Sequence, residues 1–134
     1  MKKVMVIAAA VVLCVAAGFA WRLFAPRAVG VSELKANPER NVGKVEVRAL
    51  AGRTDPANGL LEIADEKACC ALLLDVPFTE DQRTRLRSEH LYRGVLPDKG
   101  TPLEVLGTLG RLGAGYTFTV DRVSSAGKAV IKRL

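Results

Sequence analysis

The stretch that decides the fold class is residues 44–50, which read KVEVRAL. Val45, Val47 and Ala49 alternate with charged residues, and this period of two is typical of a strand with one buried face. Gly43 precedes the stretch and marks its start. The central part of the chain therefore begins with a strand that places one face against a core.

Four further segments on the C-terminal side also predict strands. Residues 60–64 form the second strand and residues 71–76 the third. The third is apolar at nearly every position, which predicts a central strand with both faces covered. Residues 103–109 and 116–123 follow as the fourth and fifth strands.

Two helices complete the pattern. Residues 78–91 are the clearer one, because Thr79 and Gln82 form a capping-box pair at its start. A shorter helix is predicted over residues 31–38, with Ser32 as its N-cap. Three strands, a helix and two strands is the order of elements in an OB-fold. We therefore predict an all-β domain with one or two short helices, folded as a five-stranded Greek-key barrel.

An apolar segment lies at the N-terminus. Lys2-Lys3 precedes residues 4–21, which are uncharged and largely apolar. As a helix this segment spans roughly 27 Å, close to the ~30 Å hydrocarbon core of a bilayer. The two lysines predict a cytoplasmic start and an exported remainder. We therefore predict a single-pass protein of the bacterial inner membrane with a periplasmic, or otherwise extracytoplasmic, C-terminal domain.

The predicted boundary between anchor and domain falls at residue 28. Residues 1–28 make up the N-terminal transmembrane anchor and tether, and the 106 residues of 29–134 suffice for one modest core. The alternative to a permanent anchor is a signal peptide cut before Trp21, because Gly18-Phe19-Ala20 fits a small-x-small cleavage site. Both alternatives place the domain outside the cytoplasm.

A net charge of +6 is common among nucleic-acid-binding proteins, so the positions of the charges decide whether it indicates this function. All 14 acidic residues lie after residue 28, together with 16 of the 20 basic ones, so the exported part carries about +2. The excess charge therefore belongs to membrane orientation, and we do not expect nucleic acid as a partner.

Cys69 and Cys70 are the candidate metal or redox residues. Thiols in an oxidising exported compartment tend to pair, bind a soft metal or lie buried. A disulfide between adjacent residues is strained, and the C-x-x-C spacing that suits zinc is absent. The alternative follows from strand alternation, which would turn one cysteine inward as a small hydrophobic residue.

His90 is the single histidine of the chain and a candidate ligand for haem iron or another metal. It also lies near the end of the predicted helix, where an imidazole interacts favourably with the helix dipole. No serine, histidine and acidic residue form a recognisable triad, so we expect no enzymatic activity.

One segment resembles a known family. It is residues 92–98, YRGVLPD, followed by Gly100, Val105, Gly107 and Leu109. It is similar to the Y-x-G-x-L-P-D stretch of the CcmE family, membrane-anchored OB-fold haem chaperones of cytochrome c maturation. The resemblance implies an exported OB-fold and adds Tyr92 to His90 as a candidate cofactor contact. That family attaches haem covalently through a histidine after the last strand. The tail after Val123 has no histidine or tyrosine, so we do not expect that attachment here.

These observations predict a non-enzymatic, membrane-tethered extracytoplasmic binding module. Its partner would be a protein or a small ligand, and its role an accessory one in cytochrome c or metalloprotein maturation. Haem and a soft metal are the candidate cofactors, and neither is assigned. Two alternatives stay open: a thiol-dependent metal or redox protein using Cys69 and Cys70, and an OB domain that binds oligonucleotides or polysaccharides.

Overall fold

A computed structural model describes residues 26–66 and 70–134. The predicted anchor lies outside these residues; within them, no helix is long and apolar enough to cross a membrane. The elements are β1 (Arg27–Gly30), α1 (Val31–Ala36), a 3-10 helix (Pro38–Asn41), β2 (Gly43–Asp55), β3 (Leu60–Ala64), β4 (Ala71–Asp75), α2 (Glu80–Leu86), β5 (Tyr92–Gly94), β6 (Pro102–Leu112), β7 (Gly115–Ser125) and β8 (Lys128–Arg133).

The described strands form one curled sheet, a half-barrel around a single core. Its order is β4-β3-β2-β6-β7-β8-β5, and β1 pairs with β2 beside this path. The β1–β2 pairing is parallel, whereas the pairings along the path are antiparallel. Strands make up 55% of the described residues, so the prediction of a mostly β domain with two helices is confirmed.

The alternation predicted for residues 44–50 is confirmed in β2. Val45 and Val47 are buried, while Lys44 and Arg48 are exposed. The strand is longer than predicted because it serves two neighbours in turn: its first half pairs with β6 and its second half with β3. The register shift in the β2–β3 pairing, after Ala51, is the kind of irregularity that bends a strand and curls a sheet.

Three short strands, β1, β5 and β8, were not predicted. β5 has three residues and β1 has four, too few to show a period in the sequence. β8 lies in the segment after residue 123, for which no strand is predicted from the sequence. It pairs with β7 across a tight turn in which Ala126 and Gly127 both have positive φ.

The prediction that the third strand is central is wrong. β4 lies at one end of the sheet order and pairs with β3. Leu74 is buried in the core, but Leu73 on the opposite face is 57% exposed. The apolar residues of β4 therefore lie on both faces of the strand, of which one is buried and one is exposed. Composition alone cannot distinguish this arrangement from a strand with two buried faces.

Ser32 is not the N-cap of α1. Gly30 takes that position without a side-chain hydrogen bond, and the carboxylate of Asp65 caps the helix from elsewhere in the chain. The backbone N–H groups of Val31 and Ser32 donate to the two oxygens of Asp65 at 2.7 and 2.8 Å. A long-range carboxylate thus satisfies the donors that a local serine was expected to satisfy.

The capping prediction for α2 is confirmed in part. The Thr79 hydroxyl accepts a hydrogen bond from the Gln82 N–H at 3.2 Å, as a capping box requires. The Gln82 side chain does not complete the box. It accepts from the Phe78 N–H and donates to the carbonyls of Pro56 and Ala57, which fastens α2 to the β2–β3 turn. The helix ends at Leu86, five residues earlier than predicted.

Candidate ligand-binding site

Two strand edges face each other across the open side of the half-barrel. In the described part of the chain β4 pairs with β3 alone, and residues 115–120 of β7 pair with β6 alone. The β8 partner of β7 begins its pairing at Arg122. β4 and β7 approach each other without joining in a ladder. We call the space between these two edges the seam.

A pocket of about 350 Å³ lies at one end of the seam. Both candidate cofactor contacts, His90 and Tyr92, line it. The other lining residues are Asp75, Arg87, Ser88, Glu89, Leu112, Thr117, Phe118, Thr119 and Val120. Two grooves of about 520 and 730 Å³ elsewhere on the described surface contain none of the candidate residues. The seam pocket is therefore where the structure brings His90 and Tyr92 together.

Tyr92 reaches the pocket from inside the core. Its side chain is 2% exposed, and its hydroxyl donates a hydrogen bond to the Val120 carbonyl of β7. Burial raises the pKa of Tyr92 to about 12, and the nearby Asp121 and Asp75 charges add to this against the opposing effect of Arg133. The geometry gives this side chain a packing role, and its contact with a cofactor stays a prediction.

The spacing of tyrosine and glycine in residues 92–94 also has a structural meaning in this chain. Gly94 has φ +138, and a Cβ at this position would overlap the Val130 carbonyl oxygen of β8. Tyr92 joins β5 to β7, and Gly94 allows β5 to approach β8 closely. The two residues together attach this short strand to the sheet.

His90 is half-buried at the rim of the pocket. Its backbone N–H donates to the Ser88 hydroxyl, which in turn donates to the His90 carbonyl. The residue lies four positions beyond Leu86, the last residue of α2, and its interaction with the helix dipole stays a prediction. Its role as a ligand stays a prediction.

Asp75 supplies a carboxyl group at the same pocket. Partial exclusion of water raises the pKa of Asp75, since a carboxylate loses hydration beside the walls of the pocket. Arg87 and Glu89 add charges of both signs, and Thr117 and Thr119 add hydroxyl groups. This mixed lining suits a polar ligand with donors and acceptors, such as a peptide backbone.

The borders of the seam are apolar. Leu73 of β4 is 57% exposed and Leu112 of β6, a pocket residue, is 69% exposed. Large aliphatic side chains exposed beside a pocket are a common feature of binding surfaces. Neither of these leucines nor Asp75 was predicted as a site residue. Leu73 could have been recognised from the sequence, because neighbouring residues in a strand point to opposite faces and Leu73 therefore points away from Leu72 and Leu74.

The two aromatic side chains of β7 are engaged within the sheet. The Phe118 ring lies so close to Gly107 of β6 that a Cβ there would be 2.5 Å from it. The Arg111 guanidinium lies 5.9 Å from the centre of the Tyr116 ring. Both rings are half-buried.

The candidate metal residues are only partly described. Cys69 lies outside the described residues. Cys70 is half-buried and packs against the core, as the alternative of an inward-facing cysteine predicted. Its carbonyl accepts a hydrogen bond from the Asp65 N–H at 3.4 Å. Within residues 26–66 and 70–134, no group of three or more potential metal ligands occurs.

Comparisons of the chain with protein-family models, with curated protein sequences and with solved structures give no match.

Proposed function

We propose that this protein is a non-enzymatic OB-fold binding module, tethered to the extracytoplasmic face of the membrane, which captures an extended segment of a partner protein at the seam. The observation that carries the proposal is the pair of facing strand edges on β4 and β7. The strand connectivity and the lining of the seam pocket support it.

The connectivity supports an OB-fold. β2 pairs with both β3 and β6, and β6 pairs with β7, as expected for the first, second, fourth and fifth strands of that fold. β4 takes the place of the third strand, and α2 lies between it and β6. OB-folds are partly open barrels, and their binding faces are centred on the second and third strands. β1, β5 and β8 are then additions to the common framework.

The seam suits strand addition. An edge strand presents backbone N–H and C=O groups that an added strand can pair with, and side-chain pockets then supply specificity. The exposed Leu73 and Leu112 offer apolar contacts beside the seam, and Asp75 and His90 offer polar ones. An extended peptide is the ligand whose chemistry matches both features.

Tethering rests on the N-terminal sequence. Lys2-Lys3 and the apolar residues 4–21 are expected to hold the protein in the membrane with the domain exported. Arg27 begins β1 directly after this region, so the domain would stay close to the membrane surface. A partner at the seam would then be a membrane or periplasmic protein.

A photo-crosslinking experiment tests the seam. A photo-reactive residue at Thr117 in the full chain, expressed in its native membrane, is expected to give a discrete adduct with one partner. Leu73→Lys places a charge on the β4 edge and should abolish the adduct. Val42→Lys is the matched control, because Val42 is 50% exposed and precedes β2, away from the β4 and β7 edges. The absence of any Thr117 adduct, or an equal loss in both variants, would contradict the proposal.

A small ligand is the second candidate, favoured by the pocket that His90 and Tyr92 share. Haem is the probe, since the resemblance to haem chaperones suggests it and a histidine can bind its iron. The full chain in neutral detergent should show a Soret shift on haem addition that His90→Ala removes. An unchanged Soret band in both proteins would exclude this branch.

Oligonucleotide binding is less favoured, because Tyr116 and Phe118 are half-buried rather than open for stacking.

A further inference from the structure

Three basic residues line up across the last three strands of the sheet. Arg93 of β5 lies opposite Lys132 of β8, and Lys132 lies opposite Arg122 of β7. The three positions are separated by up to 39 residues of sequence, yet the register makes them direct neighbours. All three are exposed. We call this group the basic row.

The basic row points away from the core. Its members alternate along their strands with Tyr92, Ile131 and Val123, which are all buried. Side chains in a strand point to opposite faces in turn, so the row occupies the outer face of the sheet. It is therefore available to a partner from solution or from the membrane.

No acidic side chain in the described part of the chain forms an ion pair with the basic row. Asp121 lies nearby but pairs with Arg133 at 2.7 Å and with Lys44 at 3.6 Å. Glu104 lies diagonal to Arg122 through the β6–β7 register. Like charges directly opposite each other destabilise a sheet, so three in succession indicate a function that needs the positive charge.

Apolar side chains flank the basic row. Val95 directly follows β5 and Leu134 directly follows β8, and they are 75% and 70% exposed. Backbone hydrogen bonds hold both beside the row: the Val95 N–H donates to Val130, and the Leu134 N–H donates to Leu91. Exposed aliphatic groups next to cations are typical of surfaces that lie in the headgroup region of a membrane.

The chain reaches the sheet close to this face. Ala28 of β1 is joined to Arg122 by successive register pairs through Glu46 and Leu106. Three strand spacings of ~4.8 Å place the two residues roughly 15 Å apart along the sheet. Residues 1–25 precede β1, so an anchor in that segment brings the basic row within reach of the bilayer.

We propose that the basic row rests on anionic phospholipid headgroups and sets the orientation of the domain on the membrane. The row with its apolar flanks fits a lipid surface better than a single-stranded nucleic acid, which is typically held by exposed aromatic rings in a basic groove. This inference rests on the proposed membrane tether. Docking in this way would leave the seam, which lies between β4 and β7, as a separate site.

Hydrogen exchange in nanodiscs tests the inference on the full chain. One set of discs contains phosphatidylcholine, and the other contains equal parts of phosphatidylcholine and phosphatidylglycerol. Peptides that cover β5 and β8 are expected to exchange more slowly in the anionic discs. Neutralising all three cations, with Arg93→Gln, Arg122→Gln and Lys132→Gln together, should lower the equilibrium constant for docking on the order of a hundredfold.

Two further proteins serve as controls. One carries Arg40→Gln, Arg53→Gln and Lys99→Gln, which remove the same charge from exposed positions elsewhere, and it should keep the slow exchange. The other carries Arg93→Lys and Arg122→Lys, which retain the charge, and it should also show slow exchange in the anionic discs. This second control guards against a mere folding defect at the row.

The outcomes are distinguishable. Failure of the chain to enter discs at all would overturn the tether, whereas entry with equal exchange in both lipids would overturn the basic row alone. Loss of protection in the charge-matched control would also overturn it, because general electrostatics would then suffice. Slow exchange caused by soluble heparin but not by anionic discs would show that the basic row binds a soluble polyanion and not a lipid.

Discussion

Replacing Tyr92 by phenylalanine removes one oxygen atom from the core and tests how the half-barrel is held together. The hydroxyl of Tyr92 connects β5 to the Val120 carbonyl of β7, 28 residues away in sequence. The ring can stay in place in the variant, because phenylalanine has the same shape without the hydroxyl. The perturbation is therefore confined to one buried hydrogen bond.

The expected loss follows from the state of the carbonyl that remains. A buried acceptor left without its donor costs about 1–3 kcal/mol, more than the net value of an exposed hydrogen bond. The Tyr92 side chain is 2% exposed, so water has little access to the Val120 carbonyl in the variant. We expect the free energy of unfolding at neutral pH to fall by about 1–2 kcal/mol.

The pH dependence provides a second, independent measurement. The pKa of Tyr92 is about 12 in the folded protein and 10.0 for a free tyrosine side chain. Between these values the folded state keeps a proton that the unfolded state has lost, so stability falls as pH rises from 10 towards 12. A shift of this size corresponds to a loss of at most roughly 2–3 kcal/mol. The phenylalanine variant lacks this component, so the difference between the two proteins should shrink above pH 10.

The assay is urea denaturation of the full chain in neutral detergent, followed by circular dichroism at neutral and alkaline pH. Tyrosinate absorbance gives a direct check, because the chain has two tyrosines and the variant retains only Tyr116. Equal free energies of unfolding for the two proteins at neutral pH, with parallel losses in alkali, would refute the buried hydrogen bond and the reasoning built on it.

Three more substitutions follow from the same structure. Gln82→Ala should lower the free energy of unfolding by about 1–3 kcal/mol, because two carbonyls of the β2–β3 turn and the Phe78 N–H lose their partner; an unchanged urea midpoint would contradict this. Gly94→Ala should cost about 2–4 kcal/mol and loosen β5, measurable as faster amide exchange in β5 and β8, since its φ is +138 and the new Cβ overlaps β8. Asp75→Asn should raise the melting temperature at neutral pH and lose this advantage in acid. The pKa of Asp75 is raised in the folded state, so folding favours the protonated carboxyl group. The stability of the unsubstituted protein therefore falls as the pH rises through that pKa, whereas the asparagine variant lacks this loss. A melting temperature that responds equally to pH in both proteins would exclude the Asp75 effect.

Local patterns in the sequence identified the buried faces well and the neighbours of each strand poorly. The alternation of residues 44–50 predicted the inward valines of β2, and Thr79 correctly marked the start of α2. Both features depend on residues adjacent in sequence. The position of β4 at an edge was not predictable in this way, because an apolar strand has the same composition at the edge and at the centre.

The candidate site was predictable only in fragments. His90 and Tyr92 were recognised as single residues, and their common pocket depends on α2 ending early and on β5 pairing with β8. Asp75 and Leu112 gave no signal of their own, since their importance comes from the seam that they border. Such a site is made by the closure of the sheet rather than by any motif.

The sequence by itself determined which residues of β2 face the core, where α2 begins, and how the charges divide between the N-terminal segment and the domain. Each of these depends on interactions within a few residues of chain. Only the tertiary structure decided that Asp65 caps α1, that Gln82 holds the β2–β3 turn, and that the basic row forms at all. The Asp65 and Gln82 contacts and the Arg93–Lys132 pair join residues 25 or more positions apart, and their register is fixed by how the whole sheet curls around one core.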